Sequence, residues 1–360
     1  MEEKKEHFVR PTTERPPSLV SLTLLAVVFG LTAGFGGYLV GKWLVPSNFT
    51  FLSNQPDIKI NLEQPLTSVA NKYDASIAGL YRAGKVVSGL DEPIFERADY
   101  LGSAVAVTSD GWLMTTDQVL LTTQTKVVIN DKVYDIEQIK KDVFSGAIFI
   151  KIKTANLLAV NFQLTEGVKV GERIFTDQEL ANSLNHSFST AVLGNIHFTT
   201  GAYLSTDSID YYYQLADLSD NGFSTASPYF NLKGDLIGLS YKINQQTVLL
   251  PADYLKQAVK HLLDNTERPI WGISYIDLEN NSGLEQKGNY VYNTVLNKAV
   301  LFDSPSHKAG LKAKDRIVAV NNDEVTKDKT ITSILQNYRL GDKIILRVVR
   351  DNKEIDLEIK

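Results

Sequence analysis

The stretch that decides the fold runs from Gly222 to Gly238 and reads GFSTASPYFNLKGDLIG. Two short apolar runs flank the polar turn Asn-Leu-Lys-Gly, and Pro228 begins the first of them. Short apolar runs on either side of a turn that contains Gly are typical of two paired β-strands. A loop rich in Ser and Thr precedes this pair. We therefore expect a β-hairpin with hydroxyl side chains at its entrance.

The same pattern extends outward in both directions. From Ser76 onward, short runs rich in β-branched and aromatic residues alternate with turn formers such as Ser109-Asp110-Gly111. Many short strands at close spacing predict an all-β barrel or sandwich. Pro251–Leu263 differs, because its apolar residues recur at helical spacing. We expect a mainly β domain over residues 66–252, opened by a short helix over Leu66–Tyr73, and a helical connector over residues 253–268.

The N-terminal region has a different character. Ser18–Val40 carries no charged side chain, and Lys42-Trp43 follows it. About 20 apolar residues cross the hydrocarbon core of a bilayer, and Lys and Trp favour its boundary. We predict a cytoplasmic tail over residues 1–17, a single membrane-spanning helix over residues 18–41 in contact with lipid, and a polar linker over residues 42–65. The alternative is a cleaved signal peptide.

Composition excludes several classes of site. The chain has 360 residues, a formal net charge of -5, no Cys and five His. Without Cys there are no disulfides, thiolate metal sites or Cys nucleophiles. The His residues show no zinc-ligand spacing, and no basic patch is concentrated enough for nucleic acid. We therefore expect no metal, no cofactor and no nucleic-acid partner.

Residues 269–360 mix strands with two helical stretches and predict a second, α+β domain. One helix is expected over Thr330–Tyr338. Two closing strands are expected over Ile344–Val349 and Ile355–Ile359, joined by a turn at Asp351-Asn352.

Three segments together resemble the membrane-anchored HtrA (Deg) family: Gly102–Val119, Gly146–Ile152 and Gly222–Gly238. Members of that family join an N-terminal anchor, a chymotrypsin-like double β-barrel and a C-terminal PDZ domain. The resemblance implies this fold for the chain, with main domains outside the cytoplasm.

The resemblance also locates the catalytic triad of the family. The general base falls on Gln118, the Asp that orients it falls on Gly146, and the nucleophile falls on Ser224 or Thr225, depending on the register. A Gln amide has no useful basicity near neutral pH. Side chains at the positions after the nucleophile also disfavour the tight turn of an oxyanion hole. We expect degenerate triad positions and no catalytic residue.

The PDZ resemblance lies in Arg268–Tyr275 and Ser304–Asn321. It implies a carboxylate-binding loop, whose residues would bind peptide: Ile270, Trp271, Gly272, Ile273 and Ser274. Lys314 stands where the family has Gly. Asn322 replaces another Gly, and Asn tolerates the left-handed backbone expected there.

These observations favour a membrane-anchored HtrA-like pseudoprotease that binds exposed or C-terminal peptides of client proteins. It would act in extracytoplasmic quality control or as an adaptor, as a homotrimer or as a hetero-oligomer with an active HtrA relative. One alternative is an active serine endopeptidase that uses Ser224 with a non-standard base. Another is a structural assembly protein.

Overall fold

A computed structural model describes residues 18–44, 75–85, 93–179, 186–216, 225–278, 288–293 and 298–359. The expected tail, linker and Leu66–Tyr73 helix lie outside the described residues. The chain divides into two compact units, Met1–Asn61 and Leu62–Lys360. In the first unit, helix α1 (Leu19–Leu44) contains an apolar stretch, Leu19–Val40, that is long enough to cross a membrane.

The second unit begins with two closed six-stranded β-barrels. The strands of the first barrel pair in the order β1-β2-β3-β6-β5-β4. They are β1 (Ile77–Tyr81), β2 (Tyr100–Ala106), β3 (Trp112–Thr116), β4 (Lys126–Ile129), β5 (Lys132–Lys141) and β6 (Ala147–Ile152).

The second barrel contains the hairpin of the opening stretch. Its strands are β7 (Arg173–Glu179), β8 (His186–Phe198), β10 (Tyr212–Leu215), β11 (Pro228–Phe230), β12 (Leu236–Ile243) and β13 (Gln246–Pro251). They pair in the order β10-β13-β12-β11-β7-β8. One apolar cluster joins both barrels, since Val105 and Phe149 of the first pack with Phe175 and Phe230 of the second. Its burial holds the barrels face to face.

Helix α2 (Ala252–Asp264) follows the second barrel and packs an apolar face on β12 and β13. A seven-stranded antiparallel sheet then forms the C-terminal domain with two short helices, α3 (Pro305–Lys308) and α4 (Ile331–Leu335). The strands of this sheet are β9 (Tyr203–Ser205), β14 (Ser274–Asp277), β15 (Asn289–Val291), β16 (Arg316–Val320), β17 (Asp323–Glu324), β18 (Ile344–Arg350) and β19 (Lys353–Ile359).

The fold prediction is confirmed: the chain is mainly β, with a double barrel, an α+β domain and one N-terminal apolar helix. One prediction about the backbone was wrong. The left-handed residue near the end of β16 is Asn321, with φ 53°, rather than Asn322. Asn321 turns the chain into β17, and its side chain accepts a hydrogen bond from the backbone of Ile345 at 2.7 Å. Lys314 also adopts positive φ, at 76°, as the Gly it replaces would.

Candidate functional site

The Gln118 side chain crosses from one barrel to the other. Gln118 lies in the turn after β3, and its Nε2 donates to the backbone oxygen of Lys242 at 2.7 Å. The Lys242 N–H donates back to Oε1 at 2.7 Å. Lys242 belongs to β12 of the second barrel. Both polar atoms of the amide therefore hold the two barrels together. We call this pair of hydrogen bonds the Gln118–Lys242 clamp.

Gly146 lies beside this turn. The Asp117 N–H donates to the Gly146 oxygen at 2.8 Å. Gly146 has φ 72°, a conformation that residues with a Cβ adopt at a cost. A Cβ at this position would lie 3.1 Å from Asp117 Oδ1. The space into which a side chain at position 146 would extend is thus next to the Asp117 carboxylate.

Asp117 has two further polar contacts. Tyr241 Oη donates to its Oδ1 at 3.2 Å, and Lys141 Nζ lies 3.0 Å from its Oδ2. Burial raises the pKa of Tyr241, and the Asp117 charge adds to that shift. The carboxylate therefore serves a local polar network between the two barrels.

The structure describes the Ser/Thr-rich loop from Thr225 onward, and Ser224 lies outside the described residues. The Thr225 oxygen accepts from the Ser103 N–H at 3.2 Å. Ala226 is fully buried and left-handed, with φ 59°, so the turn forms without Gly. The next N–H, from Ser227, donates to Ser240 Oγ at 2.8 Å.

The structure brings Gln118, Gly146 and Thr225, the predicted positions that it describes, near one another. A Cβ on Gly102 would meet both the Thr225 oxygen, at 2.6 Å, and Val119 Cγ2, at 2.8 Å. Val119 follows Gln118, so the loop at Thr225, the turn at Gln118 and the neighbouring Gly146 converge between the barrels.

The histidine side chains that the structure describes have other surroundings. The His197 ring packs at a tilt against the Tyr211 ring, and its Nε2 lies 3.4 Å from Asp328 Oδ1. His261 contacts Thr266, and His307 packs near Phe302. The His186 side chain lies outside the described part of the chain. Within the described ranges, no cluster of three or more His, Asp or Glu could hold a metal ion.

The second candidate site is the groove between β14 and α4. Trp271 and Ile273 are buried here, Ser274 begins β14, and Ile270 is exposed. Gly272 has φ 74°, and a Cβ on it would lie 2.6 Å from the Cβ of Ser304. The loop therefore requires Gly at this position.

The N–H groups of this loop have a partner within the chain. Trp271 N–H donates to Asp207 Oδ1 at 2.7 Å, and Gly272 N–H donates to Oδ2 at 2.9 Å. Burial raises the pKa of Asp207, while these two N–H groups act in the opposite direction. Sequence reasoning missed Asp207, because a lone Asp after a short strand carries no motif.

The residues before Asp207 extend the sheet. β9 pairs antiparallel with β14, with Ser205 opposite Ser274, Leu204 opposite Tyr275 and Tyr203 opposite Ile276. β9 comes from the second-barrel part of the chain, between β8 and β10. The edge of β14 that faces the groove is therefore already paired with β9.

A buried polar cluster lies beside this contact. Asp210 accepts hydrogen bonds from Tyr254 Oη of α2 and from Tyr275 Oη of β14, the latter at 2.9 Å. Burial raises the pKa of Asp210. Tyr275 Oη also lies 2.9 Å from Thr332 Oγ1 of α4. These bonds tie the second barrel and α2 to both walls of the groove.

Comparisons with known proteins agree with this architecture. A family model described as PDZ domain matches residues 269–360. Serine protease Do-like HtrA of Bacillus subtilis (strain 168) is 26% identical over 216 residues, which cover 56% of this chain and 48% of that protein. A probable periplasmic serine endoprotease DegP-like of Marinomonas sp. (strain MWYL1) is 26% identical over 270 residues, covering 72% and 56% respectively.

Solved structures share the fold. The HtrA-type protease AlgW with decapeptide has a TM-score of 0.55 and 19% identity, and the match covers 82% of this chain and 97% of that one. AlgW with tripeptide gives a TM-score of 0.56 at 17% identity, with 82% and 95% covered. The chain spans about half the length of the curated relatives it matches. The chain therefore contains a PDZ domain, is similar in sequence to HtrA-type serine proteases, and shares their fold.

Proposed function

We propose that this protein is a membrane-anchored HtrA family member that does not cleave peptides but binds them. It would bind exposed or C-terminal peptides of client proteins, in extracytoplasmic quality control or as an adaptor or regulator. The observation that carries the proposal is the Gln118–Lys242 clamp at the position of the general base.

The chemical argument concerns proton transfer. A Ser or Thr hydroxyl becomes a nucleophile when a neighbouring base accepts its proton. The Gln118 amide is neutral, and both of its polar atoms bond the Lys242 backbone, each at 2.7 Å. Gly146 supplies no carboxylate to orient a base. Removal of triad members leaves only weak residual catalysis.

The binding argument rests on the PDZ domain. Such domains capture a C-terminal carboxylate in a loop of backbone N–H groups and add the peptide as a strand. The solved AlgW structures named above contain peptides. Ile270, Trp271, Gly272, Ile273 and Ser274 are the residues we assign to peptide binding.

Location and partners follow from the anchor and the family. Residues 18–41 would span the cell membrane in contact with lipid, with a cytoplasmic N-terminus and the main domains outside. Curated relatives that are named periplasmic support this placement. A homotrimer, or a hetero-oligomer with an active HtrA relative, would let this chain act as a non-cutting subunit.

A fluorophosphonate probe, which labels activated serines, tests the loss of catalysis. We expect no labelling of the detergent-solubilised full chain under conditions that label trypsin fully. Labelling that disappears in Ser224→Ala and persists in Thr225→Ala would instead establish a serine endopeptidase with a non-standard base.

A further inference from the structure

The segment Tyr203–Asp207, which we call the β9 segment, lies in the peptide groove of the PDZ domain. We propose that it is a built-in ligand that occupies the groove, so that an external peptide must displace it to bind. The inference rests on the peptide-binding function proposed above and adds how that site is regulated and which peptides it prefers.

The direction of the β9 segment is that of a C-terminal ligand. It runs antiparallel to β14 and leads toward the loop at Trp271 and Gly272. Thr206 N–H donates to the Ile273 oxygen at 2.9 Å, and Ile273 N–H donates to Thr206 Oγ1 at 3.2 Å. Strand addition of this kind is how PDZ domains hold extended peptides.

The carboxylate is supplied by a side chain. Asp207 places one oxygen on each of the two loop N–H groups, at 2.7 and 2.9 Å. A carboxylate that accepts two backbone N–H bonds forms strong, charge-assisted hydrogen bonds. Asp207 thus takes the place of the terminal carboxylate of a peptide that would end at Thr206.

The other wall of the groove also contacts the segment. Gln336 Nε2, just after α4, donates to the Thr206 oxygen at 2.9 Å, and both residues are fully buried. Leu204 packs against the core cluster of the PDZ domain, which includes Ile273 and Ile331. The segment therefore has polar contacts with both walls and an apolar anchor, as a bound peptide would.

A tethered ligand has a large competitive advantage. A segment linked to its site acts at an effective concentration of roughly millimolar. An external peptide sees only the fraction of molecules whose groove is open, and its apparent affinity falls by that fraction. The preferred external ligand is an extended peptide with a free C-terminal carboxylate and last residues similar to Tyr-Leu-Ser-Thr.

The chain itself provides the probe. A fluorescent peptide of residues 197–206, HFTTGAYLST, ends at Thr206 with a free carboxylate. Its affinity for the full chain in detergent is measured by fluorescence polarisation. We expect Asp207→Ala to bind it at least tenfold more tightly than the natural protein, and an amidated peptide to lose most of its binding to that variant.

Two variants serve as controls. Asp135→Ala removes the same charge from a side chain that is 82% exposed on the first barrel, and it should leave the affinity unchanged. Asp207→Asn keeps the size of the side chain but turns an amide donor toward one of the loop N–H groups, and it should give an intermediate gain. If Asp207→Ala does not fold, the peptide affinity of Asp207→Asn tests the inference in its place.

Hydrogen exchange at Trp271 and Gly272 separates this inference from the proposed function. Faster exchange in Asp207→Ala with tighter peptide binding supports both. Faster exchange without binding to any variant supports the occupied groove and refutes peptide binding. Measurable and equal affinities for the natural protein and Asp207→Ala overturn the inference, as does unchanged exchange without binding.

Discussion

The region between the barrels around Gln118, Gly146 and Thr225, which we call the cleft, differs from the groove of the PDZ domain in how the chain's own atoms fill it. In the cleft, Gln118 and Lys242 make two neutral hydrogen bonds at a half-exposed position. In the groove, the partly buried carboxylate of Asp207 accepts hydrogen bonds from two backbone N–H groups. In the function we propose, the cleft lacks the residue types that catalysis needs, whereas the groove keeps its binding groups and engages them internally. On this proposal, a few side chains remove the chemistry from a fold that still forms, while peptide binding depends on which segment occupies the groove.

Arg268 connects the two regions, and its replacement should cause the largest loss in the free energy of unfolding. Its Nε lies 2.8 Å from Asp142 Oδ1, four residues before Gly146, and its Nη1 donates to Gln336 beside the groove at 3.1 Å. Both ionic side chains are less than 10% exposed. Arg268→Ala leaves the Asp142 charge buried without its cation, so we expect a loss of about 3–5 kcal/mol in the free energy of unfolding. Urea unfolding followed by tryptophan fluorescence measures it.

The matched control is Arg347→Ala. Arg347 pairs with Asp356 at 3.2 Å, but the two side chains are 46% and 57% exposed. An exposed pair contributes about 0–1 kcal/mol. Equal effects of the two substitutions would contradict the role of Arg268 as the link between cleft and groove.

Gly146→Asp asks whether the cleft can regain an orienting carboxylate. The new Cβ would lie 3.1 Å from the Asp117 carboxylate, at a backbone φ of 72°. We expect a loss of about 2 kcal/mol, partly from the left-handed backbone and partly from two neighbouring carboxylates. Gly171→Asp is the control, because Gly171 has φ 84° and nothing within 4 Å of its Cβ position. The difference between the two variants, by urea unfolding, measures the Asp117 contribution.

If the two Gly variants lose the same stability, Asp117 does not fill the space at position 146. In that case Gln118→His combined with Gly146→Asp becomes the natural attempt to restore labelling by a fluorophosphonate.

The sequence predicted the barrels well where strands bury apolar residues, as in β3, β6 and β12. It did not reveal β5, because most side chains of Lys132–Lys141 are exposed and charged or polar residues dominate the strand. The resemblance to the HtrA family, rather than any local pattern, placed Gln118 near Gly146. The sequence could not reveal the occupied groove, since Asp207 and Trp271 are 64 residues apart and no local pattern joins them.

Loss of the Gln118–Lys242 clamp should lower the free energy of unfolding least. Gln118→Ala removes two hydrogen bonds of 2.7 Å, but water can reach the Lys242 backbone at this half-exposed position. A net hydrogen bond contributes about 0.5–1.5 kcal/mol, and solvent access favours the lower part of that range, so we expect a loss of about 1 kcal/mol in urea unfolding. Gln138→Ala on β5, an exposed position, should cost less. A loss of about 3 kcal/mol or more would contradict the half-exposed character of the clamp, because only a buried, fully desolvated contact has that effect.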